Sequence, residues 1–201
     1  MSQQADMMLE ALVGVEGDAM RLRSGNVDAI AELMERYQHR LYRYLLRMVM
    51  QPSTAEDLFQ QTWLRVLERI RHYDPRRSFE AWLFAVAHNL AIDHLRRRQP
   101  ESLDEPLASG RTQADLAVSL HSGALEQLLS KEQTGYVVEA VSELPLFFRE
   151  VITLRFEEEM KLEEIAAVLR LPIGTVKTRL HRALKALRLS LEKKLGTGKI
   201  P

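Results

Sequence analysis

KLEEIAAVLRLPIGTVKTRLHRALKALRLSLEKKL, residues 161–195, decides how the rest of the chain is read. Two helical patterns meet in it at a short break. In the first, Leu162, Ile165, Ala166 and Leu169 recur at helical spacing and mark one buried stripe. Arg170-Leu171 interrupts it, and Pro172 stands where a new helix starts, its φ preset and no amide hydrogen wasted. The second pattern buries Val176, Leu180, Ala183, Leu184, Leu187 and Leu191. Its other face carries Thr175, Lys177, Thr178, Arg179, His181, Arg182, Lys185 and Arg188. A short helix, a tight turn and a longer cationic helix make a helix-turn-helix, whose second helix enters the major groove with its N-terminal residues leading. The bland alternative is an αα-hairpin with a solvated basic face. Against it, Ala166 is small where the helices cross, the basic residues cluster at the start of the second helix, and no acid lies between Glu164 and Glu192 to lace that face.

The 201 residues suffice for one large or two small domains. There is no cysteine, which excludes disulfides and thiolate metal sites and fits a reducing compartment. The N-terminus lacks a basic region followed by an apolar run, and no apolar run reaches membrane-spanning length. The expectation is a cytoplasmic protein without membrane insertion. The formal net charge of zero hides an uneven distribution. Residues 161–201 hold 10 basic against 3 acidic side chains, and residues 61–100 hold 8 against 4. Between them, 101–130 hold 1 against 5 and 131–160 hold 3 against 7. Two phosphate-facing surfaces joined by an acidic connector produce this pattern.

Along the chain, residues 1–24 are mildly acidic and interrupted by Gly14 and Gly17, and read as a mobile tail. Val27 to Met50 is a helix with Ile30, Leu33, Met34, Tyr37, Leu41, Tyr44, Leu45 and Met48 on one face and Arg36, Arg40, Arg43 and Arg47 on the other. Gln51-Pro52 ends it, and Ser53 with Glu56 three residues later reads as a capping box for the next helix, Thr54 to Arg71. That helix buries Leu58, Phe59, Thr62, Leu64 (or Trp63), Val66, Leu67 and Ile70. His72 to Arg77 is a loop, and Ser78 caps a third helix carrying Phe79, Trp82, Leu83, Val86 and Leu90. Residues 25–98 thus form one small all-α domain. Residues 99–124, rich in Ser, Asp, Glu, Gly and Pro, form a flexible acidic linker. A second all-α domain spans 125–195, with the acidic run Glu157-Glu158-Glu159 separating its first helices from the helix-turn-helix, and 196–201 is a short tail. The fold class is all-α, two small helical domains.

Two motifs now resemble a known family. Ala55-Glu56-Asp57-Leu58-Phe59-Gln60-Gln61-Thr62-Trp63, Phe79-Glu80-Ala81-Trp82-Leu83 and Ala87-His88-Asn89-Leu90-Ala91-Ile92-Asp93 resemble region 2 of bacterial sigma factors. Leu144-Pro145 through Arg149-Glu150-Val151, Glu164-Ile165-Ala166 and Gly174-Thr175-Val176-Lys177-Thr178-Arg179-Leu180 resemble region 4. Their order, spacing and linker resemble the extracytoplasmic-function (ECF) group, and the resemblance covers residues 25–195. It implies binding to core RNA polymerase and promoter DNA, with region 4 reading the −35 element as duplex and region 2 the −10 element as melted strand. It also implies an anti-sigma partner, and no cofactor, metal or small-molecule substrate.

The resemblance assigns −35 contacts to Thr175, Lys177, Thr178, Arg179, His181, Arg182 and Lys185. Arg and Lys can donate to guanine edges, and Thr and His reach phosphates or other base edges. Arg179, Lys185 and Arg188 suit phosphates, which position without specifying. For the −10 strand it points to Tyr73, Arg76 and Arg77 in the specificity loop, and to His88, Asn89, Asp93, Arg96 and Arg97 on the third helix. An amide such as Asn89 both donates and accepts, and stacking with cationic grooves holds unpaired bases. Asp57, Gln60, Gln61, Trp63 and Arg65 match the polymerase-binding face, with Trp63 open between that role and the core. Glu101, Asp104, Glu105 and Asp115 of the linker read as phosphate mimics in polymerase channels. Two departures stand out: Lys161 replaces the usual Ser or Thr N-cap, and His181 occupies a variable position, so promoter preference cannot be copied from a relative.

Two rivals make different demands. An autonomous helix-turn-helix regulator needs a dimerisation stripe or a ligand domain, and neither is visible. A metal-dependent hydrolase built on His88, Asp93 and His94 needs convergence, but those residues do not have the i, i+4 spacing that places two ligands on one helical face. No nucleophile elbow, phosphate loop or carboxylate pair is present, so no catalytic residue is assigned.

Overall fold

A computed structural model describes residues 14–98 and 131–195, and every regular element among them is helical. The N-terminal group holds α1 (14–23), α2 (Ala29–Val49), α3 (Pro52–Arg69), a 3-10 turn (Ile70–His72) and α4 (Phe79–Arg98). The C-terminal group holds α5 (Lys131–Ser142), α6 (Leu146–Ile152), a π-helical turn (Thr153–Glu157), α7 (Leu162–Leu169) and α8 (Ile173–Leu195). The expected linker and C-terminal tail lie outside the described residues, as do the linker acids.

The stripe of α2 is buried as its spacing requires: Leu33, Leu41, Tyr44, Leu45 and Met48 have no exposed surface. Each such side chain contributes about 1.5–3 kcal/mol of burial. The helix stops because Met50 adopts the left-handed conformation (φ 58°) and returns its amide to the Leu46 carbonyl. Gln51 is extended, as a residue before proline must be, and Pro52 is the first residue of α3. The expected Ser53–Glu56 capping box therefore does not form. The helix begins one residue earlier than Ser53, because a proline at its first position costs no donor. At α4 the reading holds, since the Ser78 hydroxyl accepts from the Ala81 amide at 3.3 Å.

Residues 14–23 are no mobile tail: they form a helix whose Val15, Asp18, Ala19 and Leu22 are buried against the core. Asp18 lies 3.7 Å from Arg36 of α2 and 3.2 Å from Arg21, which itself reaches Glu32 at 2.9 Å. The acidic run also does more than separate. The π turn, closed by the Glu158 amide on the Thr153 carbonyl at 3.0 Å, directs Glu157 to Arg47 (3.0 Å) and Glu158 to Arg40 (2.8 Å) on α2. The two groups meet across these contacts, through Arg149 on the Met48 carbonyl at 3.3 Å and through the packing of α7 on α4.

Candidate nucleic-acid and polymerase interfaces

The helix-turn-helix forms where the sequence places it. Arg170 takes the left-handed conformation at the end of α7 (φ 54°), and the Leu171 amide returns to the Ala166 carbonyl at 3.0 Å. The Thr175 and Val176 amides of α8 bond the Pro172 carbonyl. At the start of α7, Glu164 accepts from the Lys161 amide at 2.8 Å, supplying a cap that the lysine side chain cannot. Val176, Leu180, Ala183 and Leu187 are buried in the core that also holds Ile165, Val168 and Leu169, with α8 packed on α5, α6 and α7. Lys177, Thr178, His181, Arg182, Lys185 and Arg188 are consequently exposed on one face, and Thr175 is half-buried. The Thr178 hydroxyl donates to the Gly174 carbonyl at 2.9 Å, leaving its lone pairs outward.

Arg179 departs from the expected outer face. Its guanidinium turns inward, 2.8 Å from the buried Glu150 carboxylate and over the Phe147 ring. Burial outweighs the attraction of Arg179 and pushes the Glu150 carboxyl up to about 7. Arg179 therefore braces α8 on α6 in this structure rather than facing outward for a phosphate.

On the N-terminal group, Arg76, Arg77, Asp93, Arg96 and Arg97 are exposed. Asn89 is half-buried, its amide nitrogen donating to the Ala85 carbonyl at 2.6 Å. It lines a cleft with Arg65, Arg69, Trp82, Asp93 and Arg170, the last contributed by the helix-turn-helix turn. Two expected base contacts are corrected. Tyr73 is 1% exposed, its ring packed against Phe79 and Trp82, so it offers no face for stacking. His88 is 7% exposed, with Nδ1 3.0 Å from the Tyr44 hydroxyl. Burial, and then the fields of Arg170, Arg179 and Arg96, lower its pKa to about 4, so the ring is neutral at pH 7.

Along α3, Asp57, Gln60 and Gln61 are exposed and Arg65 is half-buried, 3.5 Å from Glu68. Trp63, left open in the sequence, belongs to the core at 4% exposure and packs edge-on to Phe59. Its neighbour Leu64 is 61% exposed and Leu67 39%. The apolar part of the candidate polymerase face is thus leucine, which sequence reasoning assigned to the core. Among the described residues no group of three or more His, Cys, Asp or Glu side chains could hold a metal, and no helix is long and apolar enough to cross a membrane.

Comparison with known proteins supplies the context for these surfaces. Residues 33–101 match the model of Sigma-70 region 2, and residues 134–187 that of Sigma-70, region 4. The chain is 33% identical over 174 residues to the ECF RNA polymerase sigma factor SigW of Bacillus subtilis, covering 85% of this chain and 93% of the relative. It is 31% identical over 160 residues to SigM of the same organism, covering 79% and 93%. Among solved structures, CnrH in complex with the cytosolic domain of CnrY superposes with a TM-score of 0.64 at 23% identity, covering 90% of this chain and 98% of that one. The sigma factor RpoE bound to the anti-sigma factor NepR from Bartonella quintana gives 0.61 at 22% identity, covering 81% and 96%. At those identities the two structures speak for the fold.

Proposed function

The chain belongs to the ECF RNA polymerase sigma factors, and from that premise we propose how its surfaces divide the work. It directs core RNA polymerase to promoters in the cytoplasm. The exposed face of α8 reads the −35 duplex: Lys177, His181 and Arg182 meet base edges, and Thr178, Lys185 and Arg188 meet edges or phosphates. Arg76, Arg77, Arg96 and Arg97 hold the melted −10 strand through cationic contacts, Asn89 through its amide, and Asp93 by accepting from a base amino group. Asp57, Gln60, Gln61, Leu64, Arg65 and Leu67 meet polymerase, two exposed leucines giving that polar face an apolar centre. As a sigma factor it is also subject to capture by an anti-sigma protein, the state in which its structural neighbour RpoE was solved.

The observation that carries this reading is the exposed face of α8, six polar or basic side chains on one side of a helix whose other side is buried, with Arg188 alone among its basic residues paired to an acid among the described residues, Glu192 at 2.9 Å. An autonomous regulator has the same face, so the test separates the two. A labelled promoter duplex is titrated with the protein alone and with the protein plus core polymerase. A sigma factor retards the duplex specifically only with polymerase present. Tight, sequence-specific retardation by the free protein favours the regulator instead. In the polymerase complex, Arg182→Ala costs about 1–3 kcal/mol and relaxes preference at one position of the upstream element. Equal weakening on every promoter reassigns Arg182 to a phosphate.

A further inference from the structure

Glu16, on the helix that opens the described chain, holds both ends of the loop assigned to −10 reading. Its Oε1 accepts from the Phe79 amide at 3.0 Å, the first residue of α4 and the end of the loop. Its Oε2 accepts from the Tyr73 hydroxyl, at the start of the loop, at 2.5 Å. That hydroxyl also lies 2.7 Å from the Arg77 carbonyl, so it spans the loop from within. The other hydrogen bonds made by the loop's amides among the described residues are local: the Tyr73 amide to the Ile70 carbonyl, the Arg76 amide to Asp74 Oδ1 and the Arg77 amide to the Asp74 carbonyl, each 3.0 Å. Among the described residues only Glu16 ties the loop to another element through a side-chain carboxylate, and α1 can bear that load because Val15, Ala19 and Leu22 are buried and Asp18 faces Arg36.

We infer that Glu16 is a positioning residue for −10 specificity: by clamping Tyr73 and Phe79 it fixes the backbone that presents Arg76 and Arg77 to the melted strand. Tyr73 is then the inner pin of the reading loop rather than a platform for bases. The carboxylate suits the task because its two oxygens can satisfy two donors from two parts of the chain. A loop loosened at either end still carries its arginines, but presents them over a range of positions, and geometric spread erodes discrimination before it erodes affinity. The inference rests on the proposed role of the loop.

The test is run-off transcription by the full chain with core polymerase on three templates: a promoter, the same promoter with one −10 base changed, and the same with one −35 base changed. The expected result for Glu16→Ala is a loss of roughly fivefold or more in the ratio of parent to −10-variant transcript, with the −35 ratio unchanged; a correct base pair confers at least that much discrimination. Glu16→Gln restores the ratio to within about twofold, because an amide can accept from Phe79 and donate to the Tyr73 oxygen while Tyr73 donates to Arg77. Tyr73→Phe, which keeps the ring packing, repeats the Glu16→Ala result and stands in for it if the alanine variant fails to fold. Unchanged −10 discrimination in Glu16→Ala or Tyr73→Phe, whatever happens to the melting temperature, leaves Glu16 a structural cap and overturns the inference. Arg76→Ala and Arg77→Ala separate the role of Glu16 from that of the loop it holds. If they too leave −10 discrimination intact, the loop is not the reader, and the inference falls with that assignment rather than with Glu16.

Discussion

Arg179 lies next to Thr178 on the recognition helix, yet its guanidinium points into the protein toward a buried carboxylate. Removing it leaves Glu150 without its cation, at a cost of about 1–3 kcal/mol for an uncompensated buried acceptor. Glu150 can escape part of that cost by taking a proton. Its carboxyl is raised to about 7, so the stability it contributes is full below about 4.5 and is lost as pH rises through about 7. Without Arg179 the upward pull of burial is unopposed. The melting-temperature difference between parent and Arg179→Ala is therefore smaller at pH 6 than at pH 8; equal differences at both pH values contradict the pairing. His88 works in the opposite sense. Its pKa is lowered from 6.5 to about 4, so its contribution is present above about 6.5 and lost as pH falls toward 4. Between pH 6.5 and 4.5 the parent loses stability relative to His88→Gln, and parallel melting curves over that range count against the buried, neutral ring. Neither residue could be assigned from sequence. Both sit at the margin of a stripe, where helical period alone leaves a side chain free to turn either way. The same ambiguity separated Trp63 from Leu64, adjacent positions on α3 of which the chain buries the larger.

At the scale of elements, the strong stripes of α2, α7 and α8 were legible because their apolar spacing is regular and their breaks carry Pro52 and Pro172. The helix-turn-helix face was legible with them, since burying Val176 and Leu180 obliges Lys177, His181 and Arg182 to point out. Helix α1 is not legible in the sequence. Val15, Ala19 and Leu22 follow helical spacing, but Gly14 and Gly17 mask the pattern, and the packing that rescues it comes from α2 and α4, far along the chain. The same distance hides the role of Glu16. Helix α3 keeps a mixed outer face, with Leu64 and Leu67 exposed among Asp57, Gln60 and Gln61. If that face meets polymerase, Leu64→Asp weakens binding to core by roughly tenfold or more, equivalent to about 1.4 kcal/mol, and barely moves the melting temperature. A binding titration with fluorescent protein reads the first quantity. Undiminished affinity would show that polymerase docks elsewhere.

At the scale of the molecule, the two helical groups lie against each other, and the surfaces they carry are not independent. Arg170, in the turn between α7 and α8, lines the cleft that holds Asn89 and Asp93. The contact depends on charge buried between the groups. Glu158 is fully buried as a side chain, with Oε2 on Arg40 and Oε1 without a hydrogen-bond partner. Two influences oppose each other there: Arg40, also held by Glu80 at 2.6 Å, favours the carboxylate, and burial disfavours it. Burial is the larger and raises the carboxyl to about 7. The packing thus keeps its full strength below about 4.5 and weakens as pH rises through about 7. Fluorescent labels on the two groups should report greater separation at pH 8.5 than at pH 6, with Glu158→Gln removing most of the difference; a separation independent of pH rejects the linkage. Sequence could mark Glu157-Glu158-Glu159 as acidic, but not that a π turn aims two of them at α2. As a sigma factor, the whole molecule lends promoter specificity to a polymerase. Run-off transcription with purified core polymerase, with and without the protein, on fragments of its own genome tests it most directly. A sigma factor yields discrete transcripts that require both components and whose start sites share an upstream and a downstream element. Transcripts that appear with polymerase alone, or none in the presence of both, would contradict it.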